Sequence, residues 1–163
     1  MKKLIFVRHG KAEDQEPGIT DFERSMTVKG KVIAREMAKR LKQKEPEPGL
    51  LISSPAFRAL ETAYIFAGEY GMKYEKIRIE SSIYFKSGLK ILMDILGSVN
   101  DDTDTIMLFG HNPSFTEIPD RLSKNGCDFL TKTSIACISF PGRTWTEIKS
   151  GTGNLEYFLK PEK

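Results

Sequence analysis

The sequence predicts an α/β fold of three layers, α/β/α, with helices on both faces of a mostly parallel sheet. Three observations predict it. Short apolar runs that end abruptly in polar residues alternate along the chain with segments of helical periodicity. Several runs are continuously apolar, the pattern of strands covered on both faces. Residues that cap helices or form turns stand at most junctions. The 163 residues suffice for one such domain, residues 1–163, and are too few for two ordinary ones.

Leu4-Ile5-Phe6-Val7 reads as the first buried strand, closed by charge at Arg8. After a polar loop from Lys11 to Arg24, Thr27 can cap a helix whose apolar positions are Val28, Ile33, Met37, Ala38 and Leu41, stopped by Glu45-Pro46-Glu47-Pro48-Gly49. Leu50-Leu51-Ile52 is a second strand. Ser53-Ser54-Pro55 then supplies a cap and a first-turn proline for a helix from Pro55 to about Tyr70. Ile77-Arg78-Ile79 alternates as a short strand, Ser87 can cap a helix through Leu89, Leu92, Met93 and Leu96, and Thr105 to Phe109 is another strand. A helix near Pro113 or Ser114 should be interrupted or re-capped by Pro119. Ser134 to Phe140 and Leu155 to Leu159 complete the strands, and Trp145, Phe140 and Tyr157 read as core aromatics.

Composition excludes several classes. With 39% hydrophobic and 29% charged residues, and no apolar stretch near the ~20 residues that span a bilayer, the chain reads as soluble, cytoplasmic and without a membrane partner. The net charge of +3 is spread among acids, so no nucleic-acid footprint is expected. Cys127 and Cys137 lack metal-ligand spacing and read as free buried thiols. Nothing signals oligomerisation, and the default is a monomer.

In an α/β sheet the ligand crevice lies beyond the carboxyl ends of the strands. The two histidines of the chain both fall at such positions, His9 in Arg8-His9-Gly10 and His111 in Gly110-His111-Asn112, with Ser53-Ser54-Pro55 at a third strand end. Arg8 adds a planar donor fork suited to phosphate, and Gly10 lets backbone approach a ligand. The group reads as an oxyanion pocket. A metal site is not expected, since neither histidine has a carboxylate or thiol at ligand spacing.

These residues reach a known family. Phe6-Val7-Arg8-His9-Gly10-Lys11 resembles the Arg-His-Gly signature of the histidine phosphatase superfamily. Ser53 to Ala63, with Arg58 near the helix start, is similar to its second motif, Gly110-His111-Asn112 to its third, and Asp21 to Gly30 to the segment before its first helix. With the short length, the nearest resemblance is to SixA-like phosphohistidine phosphatases. The resemblance implies a phosphoglycerate mutase-like fold and a metal-independent phosphatase without cofactor: His9 attacks phosphorus, the phosphohistidine is hydrolysed by water, and Arg8, Arg58 and His111 surround the transferring oxygens.

Lys11, Arg24, Ser54 and Asn112 are further candidates for phosphate or substrate contact; Ser54 reads equally as a helix cap and Lys11 as a solvated charge. Glu61, three residues after Arg58, is expected to form a local ion pair with it. Relatives that cleave esters carry a proton-donating glutamate after the third strand, here around Ile79 to Lys86, and Glu80 or a carboxylate between Glu13 and Glu23 could serve. Ser82-Ile83-Tyr84 instead resembles the SixA-like variant without that acid. An imidazole leaves phosphorus more readily than an alkoxide and needs less protonation, so the expected substrate is phosphohistidine on a protein such as a phosphotransfer domain. The alternatives are a small phosphorylated metabolite hydrolysed by a broad phosphomonoesterase, or an inactive phosphate-binding module. Asp14 to Phe22 and Ser123 to Lys132 are expected to flank the mouth.

Overall fold

The computed structural model describes residues 1–84 and 86–162. In chain order the elements are β1 (Lys2–Arg8), α1 (Val28–Lys44), β2 (Leu50–Ser53), α2 (Phe57–Tyr70), β3 (Ile77–Ile79), α3 (Leu89–Leu96), β4 (Thr105–Gly110), α4 (Ser114–Leu122), β5 (Ile135–Phe140) and β6 (Asn154–Leu159). The six strands form one sheet in the order β3-β2-β4-β1-β5-β6. β3, β2, β4 and β1 are parallel neighbours, whereas β5 runs against both β1 and β6. The sheet is therefore mixed, with β5 alone reversed among the described strands.

Alternation along β1 builds both layers at once, because successive side chains leave opposite faces of a strand. Leu4 and Phe6 enter the core under α3 and α4, with Leu92, Leu96, Phe115 and Leu122. Ile5 and Val7 enter the other, under α1 and α2, with Ala34, Met37, Leu41 and Phe66. Trp145 and Phe140 are core residues as expected, while Tyr157 packs at the core margin. Cys137 is buried, Cys127 only half so, and both are free.

Some helix boundaries differ from the sequence reading. Thr27 caps α1 by accepting from the Gly30 amide at 2.9 Å, but Val28 faces solvent. α2 begins at Phe57 rather than Pro55, and Ser54 is not its cap. α3 is capped at Gly88, without a side-chain bond from Ser87. α4 runs through Pro119 without interruption. The ring removes only the bond that would reach Phe115, in a helix that ends three residues later, and the Pro119 carbonyl still accepts from the Ser123 amide at 3.1 Å.

The topology matters most where β2, β4 and β1 finish. Their parallel register pairs Arg8 with Gly110 and Ser53 with Phe109, so the three strands end side by side.

Candidate active site

Backbone pairing continues one residue past each strand and so fixes the first loop residues. The His9 amide donates to the Gly110 carbonyl at 3.1 Å, and the Ser54 amide to that of Phe109 at 3.0 Å. His9, His111 and Ser54 therefore converge. The two imidazole centroids lie 5.1 Å apart with the rings inclined at 53°.

His9 is only 8% exposed. Its Nδ1 donates to the carbonyl of Gly10 at 2.7 Å, an acceptor that cannot donate in return. The neutral ring accordingly leaves Nε2 unprotonated, with its lone pair available. Burial, opposed by the Gly10 bond and reinforced by His111, Arg58 and Arg8, brings the His9 pKa down to about 3. Gly10 serves a different purpose from the one expected. A Cβ there would lie 2.6 Å from Met26 Sδ and 3.3 Å from Thr133 Oγ1, so the glycine admits neighbouring loops rather than a ligand. The Gly10 amide donates to Thr62 Oγ1 at 3.1 Å, and that hydroxyl donates to the Arg58 carbonyl at 2.7 Å. Thr62 thereby ties the His9 loop to the first turn of α2.

His111 Nε2 lies 2.8 Å from Ser54 Oγ, which also accepts from the Ala56 amide at 3.2 Å. Its Nδ1 is buried without a partner among the described residues. Burial first, and then Arg58, against an upward pull from Asp21, sets its pKa at about 4. Tyr84 packs edge-on against it at 5.7 Å.

Arg58, 8% exposed, is held by one acid. Nη1 donates to the Asp21 carbonyl at 2.8 Å and Nη2 to Asp21 Oδ2 at 3.0 Å. Asp21 also accepts from Tyr84 at 3.0 Å and from Arg24 at 2.9 Å. Partial burial raises its pKa, but the bonds from Arg24, Tyr84 and Arg58 outweigh that and hold it at about 2. Arg8 donates from Nη1 to the Leu130 carbonyl at 3.1 Å and lies 5.8 Å above the Phe129 ring. Its Nε is buried without a partner among the described residues, and burial lowers its pKa. Both loops expected at the mouth are there, the first through Asp21 and Phe22, the second through Phe129 and Leu130.

Other candidates are distributed unevenly. Ser54 is at the centre; Lys11 is exposed in the loop after β1. Arg24 is spent on Asp21 and the Glu13 carbonyl, and Asn112 donates to the Leu130 carbonyl at 2.9 Å while accepting from Thr116. The Arg58–Glu61 pair does not form. Glu61 instead accepts from the Met26 amide at 2.8 Å and faces Lys31 at 3.6 Å, because Arg58 points toward Asp21. Glu80 is turned to Arg78 at 3.0 Å and Ser82 at 3.4 Å. Among the described residues, no three His, Cys, Asp or Glu side chains gather closely enough to hold a metal ion, and no helix is long and apolar enough to cross a membrane. Asp21, Thr62 and Tyr84 do not stand out as site residues in the sequence. For Asp21 a signal exists in the charged segment before α1.

Comparisons with known proteins agree with this geometry. The model of the histidine phosphatase superfamily, branch 1, matches residues 4–80. An uncharacterized chloroplastic protein of Arabidopsis thaliana is 27% identical over 173 residues, covering 99% of this chain and 78% of that protein. A presumed phosphohistidine phosphatase SixA from Agrobacterium tumefaciens superposes with a TM-score of 0.80 at 20% identity, covering 99% of both chains. The protein histidine phosphatase SixA in complex with tungstate gives 0.82 at 18%, covering 98% of this chain and 97% of that one. A mycobacterial glucosyl-3-phosphoglycerate phosphatase gives 0.67 at 15%, covering 96% and 97%. The enzyme class these findings support is a phosphatase. The fold is thus that of the SixA structures, and the histidine phosphatase superfamily model matches the segment that carries β1 to β3 together with His9 and Arg58.

Proposed function

We propose that this chain is a metal-independent phosphatase that forms a phosphohistidine at His9 and acts on phosphohistidine carried by a protein. The observation that carries the reading is the buried His9, neutral and with Nε2 free, set 5.1 Å from His111. In the first step Nε2 attacks phosphorus as the N–P bond of the substrate breaks, and the substrate imidazole leaves with the electron pair. Water then attacks phosphorus, the Nε2–P bond breaks, and phosphate departs with His9 restored.

Arg8, Arg58 and His111 face the transferring oxygens in this reading. Arg8 Nε and His111 Nδ1 have buried polar capacity that no described residue takes up, as donors awaiting an anion would. Two guanidiniums and an imidazole that gains a proton beside a phosphoryl dianion can supply the charge a metal would otherwise bring. Ser54 orients His111, Asp21 orients Arg58, and Arg24 and Asn112 act through Asp21 and the Leu130 loop.

The preference for an N-phosphoryl substrate rests on the carboxylates. Asp21 is fixed as an anion by three donors, and Glu80 is bonded to Arg78 and Ser82. Neither is set to protonate an ester oxygen. In excess chelator, a histidine-phosphorylated phosphotransfer protein should be turned over faster than a panel of phosphate esters. Faster ester turnover would reject the substrate assignment, and dependence on added metal would reject the mechanism.

A further inference from the structure

Beside the histidine pocket lies a groove of about 630 Å³, walled by four separate segments. Arg8 and Lys11 come from the end of β1 and its loop, Lys29 from the first turn of α1, Lys132 from the loop before β5, and Lys160 from the residue after β6. No carboxylate lines it; Ile33 and Pro161 supply apolar wall. The chain as a whole is nearly balanced, with 25 basic and 22 acidic residues, so five cations around one groove are a local excess.

The charges are also unmatched. Lys2, Lys3, Lys31 and Lys76 each face a carboxylate, whereas no ion pair is formed by Lys11, Lys29 or Lys132 among the described residues. Lys29 is the most telling. The first turn of α1 has no acid, although the positive end of a helix dipole favours one and disfavours lysine. Lys31 in the same turn is offset by Glu61 at 3.6 Å; Lys29 has no such offset. A cation kept where local electrostatics oppose it, on the wall of a groove without acids, implies an anionic partner.

We propose that this groove docks an acidic segment of the phosphoprotein substrate, adjacent to its phosphohistidine. The inference rests on the protein-phosphohistidine function proposed for the site. Arg8 belongs both to the groove and to the phosphoryl pocket, so carboxylates seated along Lys11, Lys29, Lys132 and Lys160 would flank a phosphoryl group delivered to His9. Exposed lysines on a concave surface favour encounter with an acidic partner and its register more than tight binding, so transient docking is expected.

The test compares wild type with K29E/K132E, on a histidine-phosphorylated phosphotransfer protein and on free phosphohistidine. The double variant should lose about tenfold or more in kcat/KM on the protein, mainly through KM and with a flatter salt dependence, as rim charges that steer encounter do. Its turnover of free phosphohistidine should be unchanged, which also certifies its fold. Equal loss on both substrates, or no loss on either, overturns the proposal. Binding of tripolyphosphate that K29E/K132E abolishes, with protein turnover unaffected, would assign the groove to a small polyanion and likewise overturn it. A wild type that ignores the phosphoprotein but hydrolyses esters fails the substrate assignment itself, before any variant is compared.

Discussion

Lys2 and Arg8 begin and end the same strand, and the molecule treats the charges at the two ends in opposite ways. At the amino end Lys2, 1% exposed, donates to the carbonyls of Asp101 and Thr103 and pairs with Asp104 at 3.0 Å, above the Trp145 ring. Lys3 meets the buried Glu45 at 3.1 Å. Desolvation opposes the Lys3 charge, but the bond and field of Glu45 prevail and raise its pKa. At the carboxyl end Arg8 Nε and His111 Nδ1 are buried without partners among the described residues, and both histidines are driven toward neutrality. The amino end is a closed polar network that fixes structure. The carboxyl end keeps binding capacity open at Arg8 and His111, the two groups placed around the transferring oxygens.

The sharpest way to break this contrast is to truncate one buried group at each end. His9→Ala should abolish turnover, by at least about a thousandfold for loss of the nucleophile, with the unfolding midpoint little changed. Glu45→Ala should do the reverse. It leaves Lys3 without its buried partner, so stability should fall by about 3 kcal/mol in urea unfolding while kcat/KM remains near wild type. A His9→Ala protein that kept most of its activity would remove the core of the mechanism, and an inactive but stable Glu45→Ala protein would erase the distinction between the two ends.

A smaller effect sharpens the view of the carboxyl end. Asp21 touches no reacting atom in the proposed mechanism, yet it accepts from both Nη1 and Nη2 of Arg58. Asp21→Ala should lower kcat/KM about tenfold, as loss of an orienting partner does, whereas Arg58→Ala should cost about a hundredfold or more. Asp21→Asn should recover part of the loss, because the backbone carbonyl and a side-chain oxygen can still accept from Arg58. Recovery in kcat without a change in thermal stability would separate positioning from a merely structural role. Equal effects of Asp21→Ala and Asp21→Asn would indicate that the charge, rather than the orientation, is what Arg58 needs.

The layout of strands and the two histidines was legible because both depend on local pattern. Leu4 to Val7 is apolar at every position, and His9, two residues past that run, marks a strand end whatever the rest of the chain does. Partnerships across the fold were not legible. Spacing pointed Arg58 to Glu61, one turn along its own helix, but the shared loop geometry gives Arg58 to Asp21, 37 residues away, and Glu61 to the Met26 amide. Pro119 likewise misled, since its effect depends on how near it stands to the helix end. Gly10 misled too, since the close approach it permits is that of Met26 and Thr133 rather than of a ligand.

The finest distinction between the two ends is protonation. Burial sets His9 at about 3 and His111 at about 4, against 6.5 for an exposed imidazole. Neither ring of the free protein should therefore titrate between pH 5 and 8, and their imidazole resonances should stay fixed across that range. The folded pKa values are depressed, so the unfolded chain takes up protons first as pH falls. The stability contributed by keeping both rings neutral is present in full above about 6.5 and is lost progressively as pH falls from there toward the folded values. Adding tungstate, an oxyanion in the position proposed for phosphate, should reverse the trend at His111 by adding negative charge beside it, moving its midpoint up into the observed window while His9 Nδ1–H still donates to the Gly10 carbonyl. A free-protein midpoint near 6.5 for either ring would mean that the pocket is solvated rather than desolvated, and that His9 is not held ready as a neutral nucleophile.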